Sequence, residues 1–218
     1  MKIPKDIKCV IFDMDGVIID SEEIHKKAYY ETFISIGVDV SDNLYKSLTG
    51  SSTINAFQKL VAHFKLDIDP EELVINKRKR YVNFFENDPT LHLVKGVEDL
   101  IKHCHNKGLT LVLASSSAMV NIDRVFNRFN LNPYFTAKIS GADLTASKPH
   151  PEIFEKAALL GKTSKENCIV IEDSDNGIKA ANDAGIFVFG YKNPMAADQT
   201  LKNADVIIED FSELQKII

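Results

Sequence analysis

The sequence predicts an α/β protein: a parallel sheet covered by helices on both faces, with an all-helical segment inserted after the first strand. Three observations carry this. Short, nearly continuous apolar runs rich in β-branched residues recur along the chain, and beyond residue 95 helical patterns alternate with them. The stretch from 21 to about 90 breaks that rhythm, holding helical patterns and no convincing strand.

The first strand is CVIF at 9–12. Ser21-Glu22-Glu23 then opens a helix toward Gly37, and Ser41 and Ser52 are placed to cap the next two, the second running to Phe64. Asp69-Pro70-Glu71-Glu72 supplies an N-cap followed by proline at the first helical position. The sheet resumes with LTLVLA at 109–114, AKIS at 137–140, CIVIE at 168–172, IFVFG at 186–190 and DVII at 205–208. Helical patterns fall at 96–106, 119–129, 151–160, 174–184 and roughly 211–218. Residues 1–18 and 92–218 are therefore expected to form the α/β core, and 19–91 a smaller helical cap domain. Two linkers, near 17–21 and 87–95, make a hinge through which the insert can close over the strand ends.

Composition narrows the function classes. With 218 residues, 44% hydrophobic and 26% charged, the chain suits one large globular domain or one domain plus a modest insert. Its net charge of -5 argues against a nucleic-acid surface, which draws on clustered excess Lys and Arg. Cys9, Cys104 and Cys168 lie far apart without a C-x-x-C pair and read as buried small hydrophobes in a reducing compartment. No apolar h-region follows MKIPKDIK before Asp13, and no window approaches the length of a membrane span. The expectation is a cytoplasmic monomer that acts on a small molecule, without nucleic-acid or membrane partners.

The chemistry collects at strand ends, where doubly wound sheets bind ligands. Asp13, Asp15 and Gly16 follow the first strand; Ser115, Ser116 and Ser117 follow LTLVLA; Glu172, Asp173 and Ser174 close CIVI; and Lys148, in ASKPHPEIF, can reach the same rim. Four converging carboxylates are unfavourable without cations, and an all-oxygen cluster selects a hard divalent ion, Mg²⁺ first. Mg²⁺, Lys148, serine hydroxyls and turn N–H groups together suit a phosphoryl group. One of the two first-loop aspartates can attack phosphorus while the other carries a proton, the latter needing a drier site that holds its carboxyl protonated near neutral pH. Each piece alone has a bland reading: D-x-D-G a solvated turn, SSS a loop, Glu172-Asp173 a helix cap. Their order and common location are not bland.

Strand then DMDGVIIDSE, strand then ASSS, SKPHPEIF, and strand then EDSDNGIKAA together resemble the four motifs of the haloacid dehalogenase superfamily, and the helical insert resembles the cap of its β-phosphoglucomutase-like branch. The resemblance spans essentially the whole chain. It implies a Rossmannoid core and a phosphotransferase working through an aspartyl-phosphate, with Asp13 as nucleophile and Asp15 as general acid/base. It further implies that Ser115 holds the transferring group and that Lys148 bridges it to the nucleophile. Mg²⁺ would be held by the side chains of Asp13 and Asp173, the backbone carbonyl of Asp15, and Glu172 directly or through water.

The cap carries the expectations about substrate. His25 matches the cap histidine of the phosphoglucomutases, LTGSSTINAF at 48–57 their substrate loop, and Lys77 in NKRKRY a cap lysine that faces the substrate. Tyr29, Thr49, Gly50, Thr53 and Lys77, with Ser116 and Ser117 of the core, are the expected substrate contacts. Thr53 stands where those mutases carry an arginine that grips a distal phosphate, and Ala118-Met119 where they carry Lys-Asn. Losing two charge-assisted contacts of about 1.5–3 kcal/mol each disfavours a mutase, unless Arg78 or Arg80 compensates. The expected activity is a Mg²⁺-dependent phosphatase of small phosphorylated metabolites, sugar phosphates foremost, with β-phosphoglucomutase or a related transferase as the alternative. A phospho-receiver is a third class, against which the helical cap and the paired aspartates argue.

Overall fold

The computed structural model describes residues 2–48, 53–194 and 199–218. The chain divides into two compact units, Met1–Asp20 with His92–Ile218, and Ser21–Leu91.

In the first unit the described residues form one parallel sheet of β1 (Cys9–Phe12), β2 (Thr110–Ser115), β3 (Ala137–Ser140), β4 (Cys168–Glu172), β5 (Phe187–Tyr191) and β6 (Val206–Ile208). Their order is β3-β2-β1-β4-β5-β6, so the predicted α/β class is borne out. The chain builds outward from β1 on one side and then crosses to the other, which leaves a crevice at the carboxyl ends of β1 and β4. Register fixes what meets there. Phe12 is level with Leu113 and with Ile171, so the next residue, Asp13, falls beside Ala114 and Glu172.

Both faces of the sheet are buried, as continuous apolar strands require. Cys9, Ile11, Val112, Ala114, Cys168, Val170 and Val188 pack on α7 (Glu152–Leu160) and α8 (Asp175–Ala184) through Phe154, Ala157, Ile178 and Ala181. On the opposite face Phe12 meets Phe135 edge-on at 5.6 Å, and Phe135 meets Phe126 of α6 (Met119–Arg128) at 5.0 Å. Helices α5 (Val97–Asn106) and α9 (Ser212–Ile217) complete the unit. All three cysteines are buried thiols. None of the helices among the described residues is long and apolar enough to cross a membrane. The chain leaves this unit after Ile19 and re-enters beside it: Ile19 bridges Leu93, and Val94 N–H donates to Ile18 O at 2.9 Å.

The second unit consists of α1 (Glu22–Ser35), α2 (Asp42–Leu48), α3 (Thr53–Phe64) and α4 (Pro70–Asn87) around Phe33, Tyr45, Phe57, Leu60 and Leu73. Asp69 accepts from Glu71 N–H, with Pro70 at the first helical position where no N–H is needed. Ser41 accepts from Leu44 N–H at 3.3 Å. Ser21 differs from the expected cap: it is buried and makes no capping hydrogen bond through its side chain. Ser52, expected to cap α3, lies outside the described residues.

Phe154 is fully buried and lies under the Lys148 ammonium at 4.9 Å, so it joins the core to the site. Phe154→Ala is expected to cost about 3–5 kcal/mol in a denaturant midpoint measurement, through lost burial and the cavity left behind.

Candidate active site

Asp13 is where the apolar strand β1 meets charge. Its N–H still belongs to the sheet, donating to Ile171 O at 3.0 Å, and the residue is 7% exposed. Lys148 reaches it from the loop before α7. The Lys148 ammonium donates to Asp13 Oδ1 at 2.6 Å, to Glu172 Oε1 at 2.9 Å and to Ala114 O at 3.1 Å, which uses all three of its protons. Burial by itself would depress the Lys148 pKa, but the Asp13 and Glu172 charges and hydrogen bonds outweigh it and hold the group above its usual value. Lys148 therefore stays charged at the buried strand edge.

One lysine does not neutralise the cluster. Asp13, Asp15, Glu172 and Asp173 would carry four negative charges against one positive, a net of -3 when all are ionised. Burial, opposed by Lys148 and reinforced by Glu172 and Asp15, pushes Asp13 up to about 7. Burial together with the charges of Glu172 and Asp13 raises Asp173 well above the carboxylate range. In both carboxylates burial first, and the neighbouring carboxylates second, disfavour the charged form, a setting that a hard divalent cation would relieve.

Glycine permits the crowding. A Cβ on Gly16 would overlap the Asp173 carboxylate, and Gly16 itself sits at φ +84°. A Cβ on Gly177 would overlap Glu172 in the same way. Glu172 is fully engaged: Oε1 accepts from Lys148, and Oε2 accepts from Ser174 N–H at 2.6 Å and Ser174 Oγ at 2.9 Å. Ser174 in turn accepts from Gly177 N–H and caps α8. Among the described residues no three His, Cys, Asp or Glu side chains form a ready metal-ligand group. With Glu172 turned to Lys148 and Ser174, the acidic side chains most able to take a cation are Asp13 and Asp173.

The hydroxyl side is built from β2. Ser115 is 1% exposed, and its Oγ accepts from Ser117 N–H at 3.0 Å, curling the chain over the strand end. Ser117 Oγ donates to Asp15 Oδ2 at 2.8 Å, while Ser140 Oγ donates to Ser117 O at 3.0 Å. Ser116 is exposed on the rim. The structure thus gathers Asp13, Asp15, Ser115, Ser117, Lys148, Glu172 and Asp173 at one edge.

The helical unit, taken by itself, holds a second polar cluster. Lys77, only 4% exposed, donates to His25 Nδ1 at 2.7 Å and lies over the rings of Tyr29 at 4.7 Å and Tyr81 at 5.2 Å. His25 stacks on Tyr81 with centroids 4.4 Å apart, so it is not a solvated surface histidine. Burial raises the Tyr29 hydroxyl pKa, opposed by a hydrogen bond with Thr53. Arg80 is paired with Glu31 at 2.9 Å, and Arg78 is exposed. Thr49 and Gly50 lie outside the described residues. Sequence reasoning missed Tyr81, although its i+4 spacing from Lys77 on one helix was a usable signal. It also missed Gly177, although EDSDNGIKAA contains it, and Asn193, which donates to Gly16 O at 3.0 Å and which nothing local in the sequence marks.

Two outcomes follow from this geometry. Gly177→Ala should displace Glu172 from Lys148 and Ser174, lowering both the melting temperature and any turnover at this site; unchanged values for both would contradict the packing. For Asp13, whose pKa rises from 3.8 unfolded to about 7 folded, the native state binds the extra proton, so its contribution to stability declines as pH climbs from about 4 to 7. In chelator-containing buffer, Asp13→Asn should therefore gain stability relative to the unsubstituted protein across that window, with the gain levelling above pH 7. A difference that is flat with pH would refute the buried-charge account.

Comparison with known proteins agrees with this arrangement. A family model described as haloacid dehalogenase-like hydrolase matches residues 10–191. Hexitol phosphatase B of Escherichia coli strain K12 is 32% identical over 218 residues, covering 98% of this chain and 97% of that protein. The β-phosphoglucomutase of Bacillus subtilis strain 168 is 29% identical over 213 residues, covering 95% and 92%. Among solved structures, CbbY from Rhodobacter sphaeroides in complex with phosphate superposes with a TM-score of 0.85 at 25% identity, over 95% of this chain and 96% of that one. The matched residues include all four motif segments, so the resemblance read from them is borne out, and the chain belongs to the haloacid dehalogenase-like hydrolase family.

Proposed function

We propose that the protein is a Mg²⁺-dependent phosphatase of small phosphorylated metabolites, sugar phosphates foremost, that works through an aspartyl-phosphate on Asp13. The observation that carries this reading is the pair of first-loop aspartates in two different settings. Asp13 is fixed against a permanently charged lysine, and Asp15 is held by a serine hydroxyl, away from that lysine's three bonds. The family relation, with a hexitol phosphatase among the relatives, supports phosphoester chemistry.

In the first step an Asp13 carboxylate oxygen attacks phosphorus, the bond from phosphorus to the substrate oxygen breaks, and the Asp15 carboxyl delivers a proton to that oxygen. In the second, Asp15 removes a proton from water as it attacks the same phosphorus; the Asp13–phosphorus bond breaks and inorganic phosphate leaves. Lys148 keeps Asp13 oriented and offsets charge on the phosphoryl oxygens, and Ser115 is placed to hold one of them. The donors fit a Mg²⁺ ion through Asp13, Asp173 and the Asp15 carbonyl, with Glu172 behind them on Lys148 and Ser174. When bound, that ion would supply positive charge that favours ionised Asp13 and stabilises the transferring group. The buried thiols suit a reducing cytoplasm.

Water is the proposed acceptor. Thr53 and Ala118 offer no charge where the phosphoglucomutases carry an arginine and a lysine, and Arg80, a possible replacement, is committed to Glu31. Purified protein with Mg²⁺ should hydrolyse p-nitrophenyl phosphate and members of a hexose, hexitol and pentose phosphate panel, and lose that activity to chelator. Asp13→Asn should abolish turnover, and Asp15→Asn should lower kcat by about 10²–10⁴-fold while leaving Asp13 able to be slowly phosphorylated, as seen by acid-quench mass spectrometry. Full activity in Asp13→Asn would sink the reading. Primer-dependent conversion of β-glucose 1-phosphate to glucose 6-phosphate would instead select the mutase.

A further inference from the structure

We propose that Asn193 is a positioning residue for the acidic centre, acting through the Gly16 carbonyl; the proposal rests on reading the site as a cation-assisted phosphoryl-transfer centre. Asn193 follows β5, which neighbours β4 and not β1. Its side chain nevertheless reaches the turn after β1, where Nδ2 donates to Gly16 O at 3.0 Å in a buried bond across 177 residues of sequence. The segment that carries Glu172 and Asp173 leaves β4, the strand between the two that this bond ties together.

Both ends of the tie are rigid. Asn193 N–H donates to Tyr191 O at 2.9 Å, Lys192 N–H donates to Ile208 O at 2.9 Å, and Tyr191 stacks on buried Phe211 at 4.4 Å. On the other side Gly16, at φ +84°, donates its N–H to Ile19 O at 2.8 Å, and Val17 N–H, in the same peptide plane as the Gly16 carbonyl, donates to Met14 O at 3.3 Å, so the Asn193 bond is a further tie on that turn and the one that comes from a distant segment. Asp173 packs directly on the Gly16 Cα. The Asn193 amide thereby fastens to β5 the turn against which Asp173 rests, adding to the turn's own backbone bonds. An amide is required because the partner is a carbonyl: a carboxylate at 193 would set acceptor against acceptor beside a cluster already short of positive charge.

Asn193→Ala and Asn193→Asp test this, the near-isosteric aspartate carrying the test if the alanine variant fails to fold. Mn²⁺ binding to chelator-treated protein, followed by electron spin resonance without substrate, is measured beside the Mg²⁺ half-saturation and KM for p-nitrophenyl phosphate. Both variants should weaken Mn²⁺ binding and raise the Mg²⁺ half-saturation by about 10–100-fold, as loss of groups that orient metal ligands does elsewhere, with KM at saturating Mg²⁺ little changed. A purely structural role would lower the melting temperature and leave cation affinity at the unsubstituted value. A purely electrostatic role would make Asn193→Asp bind the cation more tightly. Either result overturns the assignment. If the unsubstituted protein binds cation and hydrolyses ester while both variants match it, only the role of Asn193 falls. If it does neither, the reading of the site falls and this proposal with it.

Discussion

The three hydrogen bonds of the Lys148 ammonium are the interaction on which the core site depends. A parallel sheet is covered on both faces, and where the ends of β1, β2 and β4 meet, Asp13 and Glu172 are held almost out of water. Without a cation at the centre, Asp13 and Glu172 would be adjacent buried charges, a situation that costs several kcal/mol. Lys148 meets both, and its third proton goes to the Ala114 carbonyl of the neighbouring strand. This one side chain therefore links β1, β2 and β4 at the edge where chemistry is to happen.

That lysine is deliberately outnumbered. Burial, reinforced by the neighbouring carboxylates, raises the proton affinity of Asp13 and Asp173, and the same surplus of acids would favour a second positive charge there. The close packing of Gly16 on Asp173 and of Gly177 on Glu172 keeps the acids together in spite of their repulsion, since neither backbone position has room for a side chain. Ser174 serves two elements at once: the hydroxyl that caps α8 also donates to the second oxygen of Glu172.

The helical unit follows a different logic. Its polar cluster is assembled around a buried lysine met by two aromatic faces and an imidazole. The basic run from Lys77 to Arg80 shows how helical periodicity sorts identical charges. Lys77 falls on the buried face, Arg78 and Lys79 are exposed, and Arg80 turns to Glu31 across α1.

Much of this was legible in the chain itself because it is local. Apolar β-branched runs marked every strand to within about a residue, Asp69-Pro70 marked the start of α4, and the placement of Asp13, Ser115, Lys148 and Glu172-Asp173 after strands pointed to one edge. Strand periodicity and register force those outcomes once the sheet forms. What only the tertiary structure decided is relational: that Glu172 faces Lys148 and Ser174, that the Ser117 hydroxyl meets Asp15, that Ser21 is buried without a side-chain capping bond, and that His25 stacks on Tyr81. Asn193 is the extreme case, an ordinary loop residue made consequential by a single bond to Gly16. Local patterns determine which elements form and which residues reach an edge; which polar atom meets which is settled only when distant segments compete for the same few buried donors and acceptors.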